Sequence, residues 1–507
     1  MNTANATDKD KQMGFEAEAR EVAGADVGEN LKRIIMKKLL VLKIILVILV
    51  VISGCSVGPD YKRPDAPVPS SFKELKGWRE ALPRDQEIRT KWWEAFGDPV
   101  MNSLEEQVNV SNQSIALAES QYRQSQALVQ LARANYFPTV NAGAAYTRSQ
   151  PAGNTSGTID QHQVSLNAAW EVDLWGRVRR QVESSKASAE ASFADLQAMR
   201  LSMQAELALN YFQLRTLDAQ KKNLEEAVAA YGKALELTQN RYNAGVAAKA
   251  DVSAAQTQLN SAQAQAIDVG VQRAQLEHAI AILTGKPPTD FSLTPVIFVQ
   301  PQIRIPVAIP SDLLEHRPDI ASAERKMAAA NAQIGVAKAA YYPTLSLSGS
   351  LGYASTELAS LFTSPSFFWA LGPTALSATL FDGGARKAQT EQARAAYDGT
   401  IAFYRQTVLT GFQDVEDNLA ALRILDEEAQ FQEQAVKSAQ ESVMLTTNQY
   451  KAGIVSYLNV VTVQTIALTN ERTAISISGQ RLNAAVLLVK ALGGGWRAPE
   501  AHGIKKK

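Results

Sequence analysis

A long stretch without proline, residues 177–286, limits what this chain can fold into. Along its first half, apolar residues recur at steps of three and four, which is the period of a helix. These residues are Leu196, Met199, Met203, Leu207, Tyr211, Leu214, Leu217, Leu224, Val228, Tyr231 and Leu235. A helix over 177–243 would be roughly 100 Å long at about 1.5 Å per residue, deeper than a compact domain. With a glycine-containing break at 241–246 and a second arm over 247–283, the stretch predicts a very long helical hairpin.

The charge and the reactive residue types exclude several functional classes. The net charge is +0 and the pI is near 6.9, so the composition does not favour a nucleic-acid partner. Cys55 is the single cysteine, which excludes a disulfide framework and a cysteine-rich metal site. The histidines lie far apart, at 162, 278, 316 and 502, without the spacing of metal ligands. The sequence shows no catalytic constellation, so we expect neither enzymatic activity nor a cofactor.

The N-terminal region predicts a bacterial lipoprotein signal. Basic residues at 37–38 are followed by an apolar run at 44–52, too short to span a bilayer as a finished helix. The sequence ISGC at 52–55 matches the lipobox, so we expect Cys55 to be lipidated, with palmitate among its acyl chains. A buried helix ending in an incidental cysteine is the weaker alternative. Ser56 after the cysteine favours sorting of the lipoprotein to the outer membrane rather than retention in the inner one. The signal before Cys55 also leaves two candidate translation starts, Met1 and Met36.

The region that follows changes period twice. Residues 55–100, rich in proline, predict an extended arm, and a helical run over 101–134 ends before Pro138. Beyond it, apolar residues alternate with small or polar ones at Val140, Ala142, Ala144 and Tyr146, then at Val164, Leu166, Ala168, Trp170, Val172 and Leu174. This alternation predicts a hairpin of two strands whose length suits tilted strands in a bilayer. A soluble hairpin with one face on a core is the alternative for this segment alone.

The same pattern is written twice. NYFPT at 135–139 returns as AYYPT at 340–344, and RYNAG at 241–245 returns as QYKAG at 449–453. Between these copies lies a second strand pair, with a phase slip at Pro373 that a bulge or a sheet edge would give. An internal repeat of this length determines the architecture before any single motif does.

The repeat predicts a division of the chain. Residues 1–54 form an N-terminal extension and the signal, 55–100 the lipidated arm, 101–309 the first repeat, 310–496 the second repeat, and 497–507 a C-terminal tail. The first repeat contains a helix, the strand pair 138–175, the hairpin 176–284 and an equatorial linker. The second contains a helix, the strand pair 343–382 and the hairpin 384–492.

The strands also predict an oligomer. Four strands cannot close a membrane barrel, which needs at least about eight, and open sheet edges are not tolerated in lipid. Two long hairpins per chain leave apolar seams that neighbouring copies would cover. We therefore expect a symmetric oligomer, in which two chains would give eight strands and three would give twelve.

Several motifs resemble those of one family. LLEHRPDI at 313–320, AER at 323–325, NAQIGVA at 331–337 and YP at 342–343 resemble the signature of the TolC-like outer membrane efflux factors. The lipoprotein branch, of the NodT/OprM type, is the more similar: it is marked by Cys55 with VGPDY at 57–61, WW at 92–93, FDGG at 381–384 and ALGGGW at 491–496. The resemblance covers nearly the whole chain from Cys55 onwards.

The resemblance implies a mainly α chain with a β membrane portion: internally duplicated long helical hairpins plus four transmembrane strands per chain, assembled as a trimeric α/β barrel. The homotrimer would be lipid-anchored in the outer membrane of a Gram-negative bacterium, with a helical tunnel in the periplasm. Its implied partners are outer membrane lipid, a periplasmic adaptor (membrane fusion) protein and an inner-membrane RND-type transporter. The chain would then be a passive, gated exit duct that carries small molecules outwards.

The resemblance also assigns roles to the two hairpin tips. The implied adaptor contacts are Arg241, Tyr242, Gly245, Val246, Ala452, Gly453 and Ile454, and the implied periplasmic gate residues are Asp251, Tyr450, Val455 and Asn459. A hydrogen bond between Asp251 and the Tyr450 hydroxyl would hold the aperture closed, so Asp251→Ala or Tyr450→Phe should raise its leak conductance. Val455, Asn459 and Thr462 stand where well-known relatives carry an arginine and aspartates, so this chain lacks their second acidic ring.

Two rival functions remain at this point. One is the exit duct of a type I protein secretion system, which would keep the channel but change its cargo. The other is a structural coiled-coil lipoprotein that tethers envelope layers, which would need the helices but not the alternating strands.

Overall fold

The computed structural model describes residues 56–66, 68–69, 71–74, 91–150, 157–296 and 317–494. The predicted lipidation site Cys55, the signal before it and the predicted tail 497–507 lie outside these residues. In the part of the chain that is described, no helix combines the length and the hydropathy needed to cross a membrane.

Each half of the chain has the same order, in which helical residues are followed by strands and then by a long helical hairpin. The first half contains α1 (Pro99–Ser111), α2 (Gln113–Ala134), β1 (Thr139–Ser149), β2 (Ile159–Val172), α3 (Arg177–Asn243) and α4 (Lys249–Leu283). The second half contains α5 (Pro318–Ala339), β3 (Thr344–Ser355), β4 (Phe367–Leu371), β5 (Ala375–Ser377), α6 (Ala385–Lys451) and α7 (Tyr457–Ala491). Helices α3 and α6 each have 67 residues, and α4 and α7 each have 35, so the two hairpins match in length.

The helical run predicted over 101–134 is two helices rather than one. Asn112 has an extended backbone between them, and its side-chain oxygen accepts hydrogen bonds from the backbone N–H groups of Ser114 and Ile115 at 2.9 and 3.1 Å. Its side-chain nitrogen donates to the Leu283 carbonyl at 2.9 Å. Asn112 therefore caps the start of α2 and satisfies a carbonyl at the end of α4. Both contacts favour a break between α1 and α2, which the helical period of the apolar residues does not show.

The described chain forms two compact units. The first consists of 56–59, Arg133–Gln181 and Ile334–Thr390, and the second of Asp60–Ala132, Val182–Gln333 and 391–494. The first unit contains the strands, and the second contains the hairpin tips.

The sheet of the first unit is antiparallel, in the order β1-β2-β3-β4, and β5 also pairs with β3. The strand pairing is interrupted around Pro373, between the end of β4 at Leu371 and the start of β5. This is where the sequence predicts a phase slip. The predicted strand pair extends to residue 382, whereas β5 ends at Ser377, so residues 378–382 lie beyond the last strand. The break keeps Leu371 and Leu376 on one face of the sheet, because their partners Gly349 and Leu345 on β3 are an even number of residues apart.

The two faces of this sheet differ in chemistry. One row of paired residues runs Ala142, Leu166, Leu351 and Trp369, and the next row on that face runs Ala144, Val164, Tyr353 and Phe367. These rows are apolar, yet Leu351 and Trp369 are 47% and 72% exposed. A row on the opposite face runs Asn141, Asn167, Ser350 and Ala370. The sheet therefore has an exposed apolar face and a face of small and polar residues.

The second unit is built on one large apolar cluster. Trp92, Trp93 and Phe96 of a short 3₁₀ helix are buried in it, as is Tyr211 of α3. Asp98 then caps α1 by accepting two backbone N–H bonds, and it also accepts a hydrogen bond of 2.7 Å from the Tyr211 hydroxyl. The start of α1 is thus fixed directly against α3.

The described residues of 60–74 pack on this unit as an extended segment, within the predicted arm 55–100. The Tyr61 hydroxyl donates to Glu324 at 2.6 Å. The Glu416 carboxylate accepts hydrogen bonds from the backbone N–H groups of Lys73 and Glu74 at 2.7 and 3.0 Å. These contacts with α5 and α6 hold both ends of the arm.

Candidate functional site

The first hairpin tip, residues 244–248, reverses the chain between α3 and α4. The Val246 N–H donates to the Arg241 carbonyl at 2.8 Å, and the Gly245 N–H donates to the Tyr242 carbonyl at 2.9 Å. This pair of bonds is the Schellman ending of a helix, which needs a left-handed residue at its centre. Gly245 supplies it, with φ of 75°, and its side-chain position is open, so the backbone conformation rather than crowding requires glycine.

The second hairpin tip, residues 452–456, reverses the chain between α6 and α7 in the same way. The Ile454 N–H donates to the Gln449 carbonyl at 2.9 Å, and the Gly453 N–H donates to the Tyr450 carbonyl at 3.0 Å. Gly453 has φ of 76°. The repeated sequences at the two tips therefore fold into the same reversal.

A small apolar cluster lies behind the tips. Its buried members are Tyr450, Tyr457, Val460 and Ala255, and Val455 packs against them. The Tyr450 and Tyr457 rings meet edge to face, with centroids 5.3 Å apart. Because Ala255 belongs to the first hairpin and the others to the second, the cluster joins the two hairpins of one chain.

Arg241 contacts both tips. It lies in the last turn of α3, and its guanidinium carbon is 4.9 Å from the centroid of the Tyr450 ring. Its Nη1 atom donates a hydrogen bond of 2.9 Å to the backbone carbonyl of Lys451, the last residue of α6. The structure thus gives this predicted adaptor-contact residue a second set of contacts, with the neighbouring hairpin.

The ends of both tips are apolar and exposed. Val246 is 65% exposed and Ile454 is 72% exposed, and Ala452 beside them is exposed as well. Leu458, in the first turn of α7, is 66% exposed and belongs to the same set, although the sequence analysis does not single it out. The Lys249 ammonium lies 5.7 Å from the centroid of the exposed Tyr242 ring.

Asp251 lies in the first turn of α4, where the partial positive charge of the helix N-terminus favours a carboxylate. Among the described residues of this chain, no hydrogen bond joins Asp251 to Tyr450. The Tyr450 hydroxyl contacts the Thr238 hydroxyl instead, at 3.4 Å. Asn459 is exposed in the first turn of α7. The structure brings Arg241 and Tyr450 together, but not the predicted pair of Asp251 and Tyr450.

Tyr457 is a buried phenol that is not among the gate residues implied by the family resemblance. Its hydroxyl has no hydrogen-bond partner among the described residues. Burial and the nearby Tyr450, Tyr231 and Asp251 raise the pKa of Tyr457 to about 12. Tyr457 therefore stays neutral over the physiological range. The sequence signal for it is its apolar spacing from Val460 on the buried side of α7.

The tips do not assemble a catalytic or metal-binding constellation. Within the described residues, no group of three or more histidine, cysteine, aspartate or glutamate side chains could hold a metal ion. The tips offer an exposed apolar end, a buried aromatic cluster behind it, and Arg241, whose guanidinium contacts the neighbouring hairpin.

Comparison with known protein families and curated proteins gives one consistent result. A profile of the family described as "Outer membrane efflux protein" matches residues 104–286 and 309–494. The solvent efflux pump outer membrane protein SrpC of Pseudomonas putida is 31% identical, over 88% of this chain and 97% of its own length. The pyoverdine export outer membrane protein OpmQ of Pseudomonas aeruginosa is also 31% identical, over 90% of this chain and 98% of its own.

Solved structures show the same similarity. The outer-membrane channel OprN has a TM-score of 0.82 and 29% identity, covering 87% of this chain and 100% of its own. The open state of the MtrE outer membrane channel of Neisseria gonorrhoeae has a TM-score of 0.77 and 28% identity, covering 88% of this chain and 99% of its own.

Proposed function

The chain belongs to the outer membrane efflux protein family, and we propose that three copies of it form one gated exit duct through the outer membrane and the periplasm. Each copy does no chemistry; an inner-membrane transporter supplies the energy for transport. The division into two repeats at 101–309 and 310–496, with an arm before them, is part of the same proposal.

The observation that most supports a trimer is the chemical difference between the two faces of the sheet. An exposed apolar face with Leu351 and Trp369 suits lipid, and a small polar face with Ser350 suits a water-filled interior. A sheet with open outer edges at β1 and β4 does not persist in lipid, where every backbone N–H and C=O must be paired. Because β4 and β5 both pair with β3, they count as one interrupted strand, and each copy supplies four strands. Three copies would then close a shared sheet of about twelve strands, which meets that requirement.

Exposed apolar residues on the helices of the second unit support the same assembly. They are Leu117, Leu128 and Leu131 on α2, Ile267 and Val271 on α4, and Phe403 and Phe431 on α6. Side chains of this size and number remain exposed in one copy and would be covered by neighbouring copies. The hairpins of three copies would then form the wall of a periplasmic tunnel.

The hairpin tips are the proposed contact with a periplasmic adaptor protein. Val246, Ile454 and Leu458 offer a small apolar surface, and the exposed Lys451 borders it. An adaptor with apolar tips and acidic neighbours fits this surface. The adaptor would connect the duct to an inner-membrane transporter of the RND class.

Small organic molecules are the proposed cargo. Relatives that cover nearly the whole chain are described as solvent, toluene, antibiotic and pyoverdine exporters. These names favour small-molecule efflux over the type I protein secretion duct, and a channel over the envelope-tethering lipoprotein. Lipidated Cys55 is the proposed membrane anchor, in addition to the strands.

Asp251, Tyr450, Val455 and Asn459 are the proposed gate residues at the narrow end of the duct. The carboxylate of Asp251 is the one acidic group in residues 241–251 and 449–459, since Asn459 occupies the matching place in the second stretch. We expect Asp251→Ala to raise the leak conductance of the purified protein in planar bilayers, with Asp268→Ala, further along α4, as the control. Equal conductance in both variants and the wild type would remove Asp251 from the gate.

Native mass spectrometry of the detergent-solubilised protein, followed by planar-bilayer recording, tests the function as a whole. We expect a trimer with channel activity, and a strain lacking the gene should become more susceptible to small organic toxins. A monomer without conductance would contradict the duct, and loss of protein export without a change in susceptibility would favour the secretion alternative.

A further inference from the structure

We propose that Arg241 is a latch that holds the second hairpin tip against the first within each copy and so keeps the periplasmic end of the duct narrow. This inference rests on the proposed function, since it assigns the closed state of the duct to one side chain. It concerns a contact inside one chain, and it differs from the hydrogen bond predicted between Asp251 and Tyr450.

The first half of the latch is the hydrogen bond from Arg241 to the Lys451 carbonyl. This carbonyl is at the C-terminal end of α6, where helix carbonyls lack partners within the helix and carry partial negative charge. A guanidinium donor is the favourable partner there, because it combines a full positive charge with a directed N–H. The bond therefore fixes the point at which α6 turns into the second tip.

The second half is the contact between the Arg241 guanidinium and the face of the Tyr450 ring, 4.9 Å from its centroid. Tyr450 is 4% exposed and is held by the Tyr457 ring and by the Thr238 hydroxyl. The ring is therefore a fixed platform. The planar guanidinium of Arg241 stacks on the Tyr450 ring and donates, in its own plane, to the Lys451 carbonyl. A lysine ammonium has no such plane and would make both contacts less well.

Arg241 has no competing carboxylate. Among the described residues, Arg241 forms no salt bridge and its Nε atom is buried without a hydrogen-bond partner, so its contacts are those with the ring and the carbonyl. A cation–ring contact with one hydrogen bond can be broken when the second hairpin tip moves away. A buried ion pair at the same place would be much harder to break.

Comparison of the two repeats shows that only the first hairpin supplies an arginine at this position. The residue that matches Arg241 in the second hairpin is Gln449, which is neutral and cannot act as a cation over a ring. At the first tip, the ring of Tyr242, which matches Tyr450, is instead faced by Lys249 of its own tip. Of these two cation–ring contacts near the tips, that of Arg241 crosses between the hairpins and that of Lys249 does not, so Lys249 provides a matched control.

Single-channel recording of three variants tests the latch. We expect Arg241→Gln to raise the conductance of the closed channel about tenfold, because it loses both a charged hydrogen bond and a cation–ring contact. Arg241→Lys keeps a cation at the ring and should give a smaller rise, about threefold. Lys249→Gln removes the contact within the first tip and should leave the conductance as in the wild type.

Two outcomes would overturn the latch: an Arg241→Gln channel as closed as the wild type, or a Lys249→Gln channel that opens as far as Arg241→Gln. The latter would mean that positive charge at the tips matters, rather than the bridge. If Arg241→Gln does not assemble, the Arg241→Lys and Lys249→Gln pair decides. A wild-type protein without any conductance contradicts the proposed duct itself, whereas a conducting wild type beside an unaltered Arg241→Gln contradicts the latch alone.

Discussion

Arg317, the residue before α5, donates a hydrogen bond of 3.2 Å to the backbone carbonyl of Ala491 at the end of α7. The same guanidinium pairs with Asp319 at 2.7 Å and with Asp414 of α6 at 3.0 Å. Arg317 is buried, while both carboxylates are partly exposed. The arginine of the HRPDI sequence thus joins three helices of the second repeat, which gives a physical reason for a motif that the sequence analysis uses only as a family marker.

We expect Arg317→Met to lower the free energy of unfolding by about 2 kcal/mol. The change removes three charged or capping interactions, and the figure is below that for a fully buried pair because the two aspartates can regain water. Thermal unfolding of the solubilised protein measures it. Lys326→Met, on α5, breaks an exposed pair with Asp195 of α3 and should cost less than about 1 kcal/mol. Equal losses in the two variants would contradict the role given to Arg317.

Asn112 offers a second stability test. Asn112→Ala removes the cap of α2 and leaves the Leu283 carbonyl without its side-chain donor, so we expect a loss of about 2 kcal/mol. Gln113→Ala, at the next and exposed residue, should change the free energy of unfolding by under about 0.5 kcal/mol. The same unfolding experiment compares them. A neutral Asn112→Ala would show that α1 and α2 tolerate a continuous or uncapped junction.

Much of the fold can be predicted from the sequence, because the period of apolar residues is a local signal. The long hairpins, the strands and the slip at Pro373 follow from it, and the family match confirms the predicted resemblance and the outer membrane efflux function. The Asn112 break could not be predicted, since helical spacing continues across it. The reach of Arg241 to Lys451 could not be predicted either, because it depends on how two hairpins align, and sequence spacing contains no such information.

The hydroxyl and the ring of Tyr450 can be separated by substitution. Its hydroxyl contacts Thr238 at 3.4 Å, a long hydrogen bond, whereas its ring meets both Arg241 and Tyr457. We therefore expect Tyr450→Phe to leave the leak conductance within about twofold of the wild type and Tyr450→Leu to raise it clearly. Planar-bilayer recording distinguishes them. A large rise in Tyr450→Phe would instead favour the bond to Asp251 across neighbouring helices that the family resemblance implies.

Glu105 on α1 predicts an unusual dependence of stability on pH. It is fully buried, neither carboxylate oxygen has a hydrogen-bond partner within the described part of the chain, and burial raises its pKa well above the usual range. The folded state therefore keeps a proton that the unfolded state loses, so this group lowers stability as pH rises from its unfolded pKa of about 4.3 towards its folded pKa. We expect Glu105→Gln to raise the melting temperature at pH 8 and to change it little at pH 4. A melting-temperature difference that does not depend on pH would contradict the buried neutral carboxyl.

The two faces of β3 give the sharpest test of the membrane orientation, because Ser350 and Leu351 are neighbours on opposite faces. Leu351→Arg places a charge on the apolar face, at a cost of about 2–4 kcal/mol per copy near the middle of the bilayer. We expect it to reduce the amount of assembled trimer in outer membranes. Ser350→Arg places the same charge on the small polar face, where water would solvate it, so the trimer should assemble and its reversal potential in a salt gradient should shift towards anions. Because the two variants differ in face and hardly in position, equal assembly of both would mean that the apolar face does not meet lipid, and the proposed closed sheet would then be wrong.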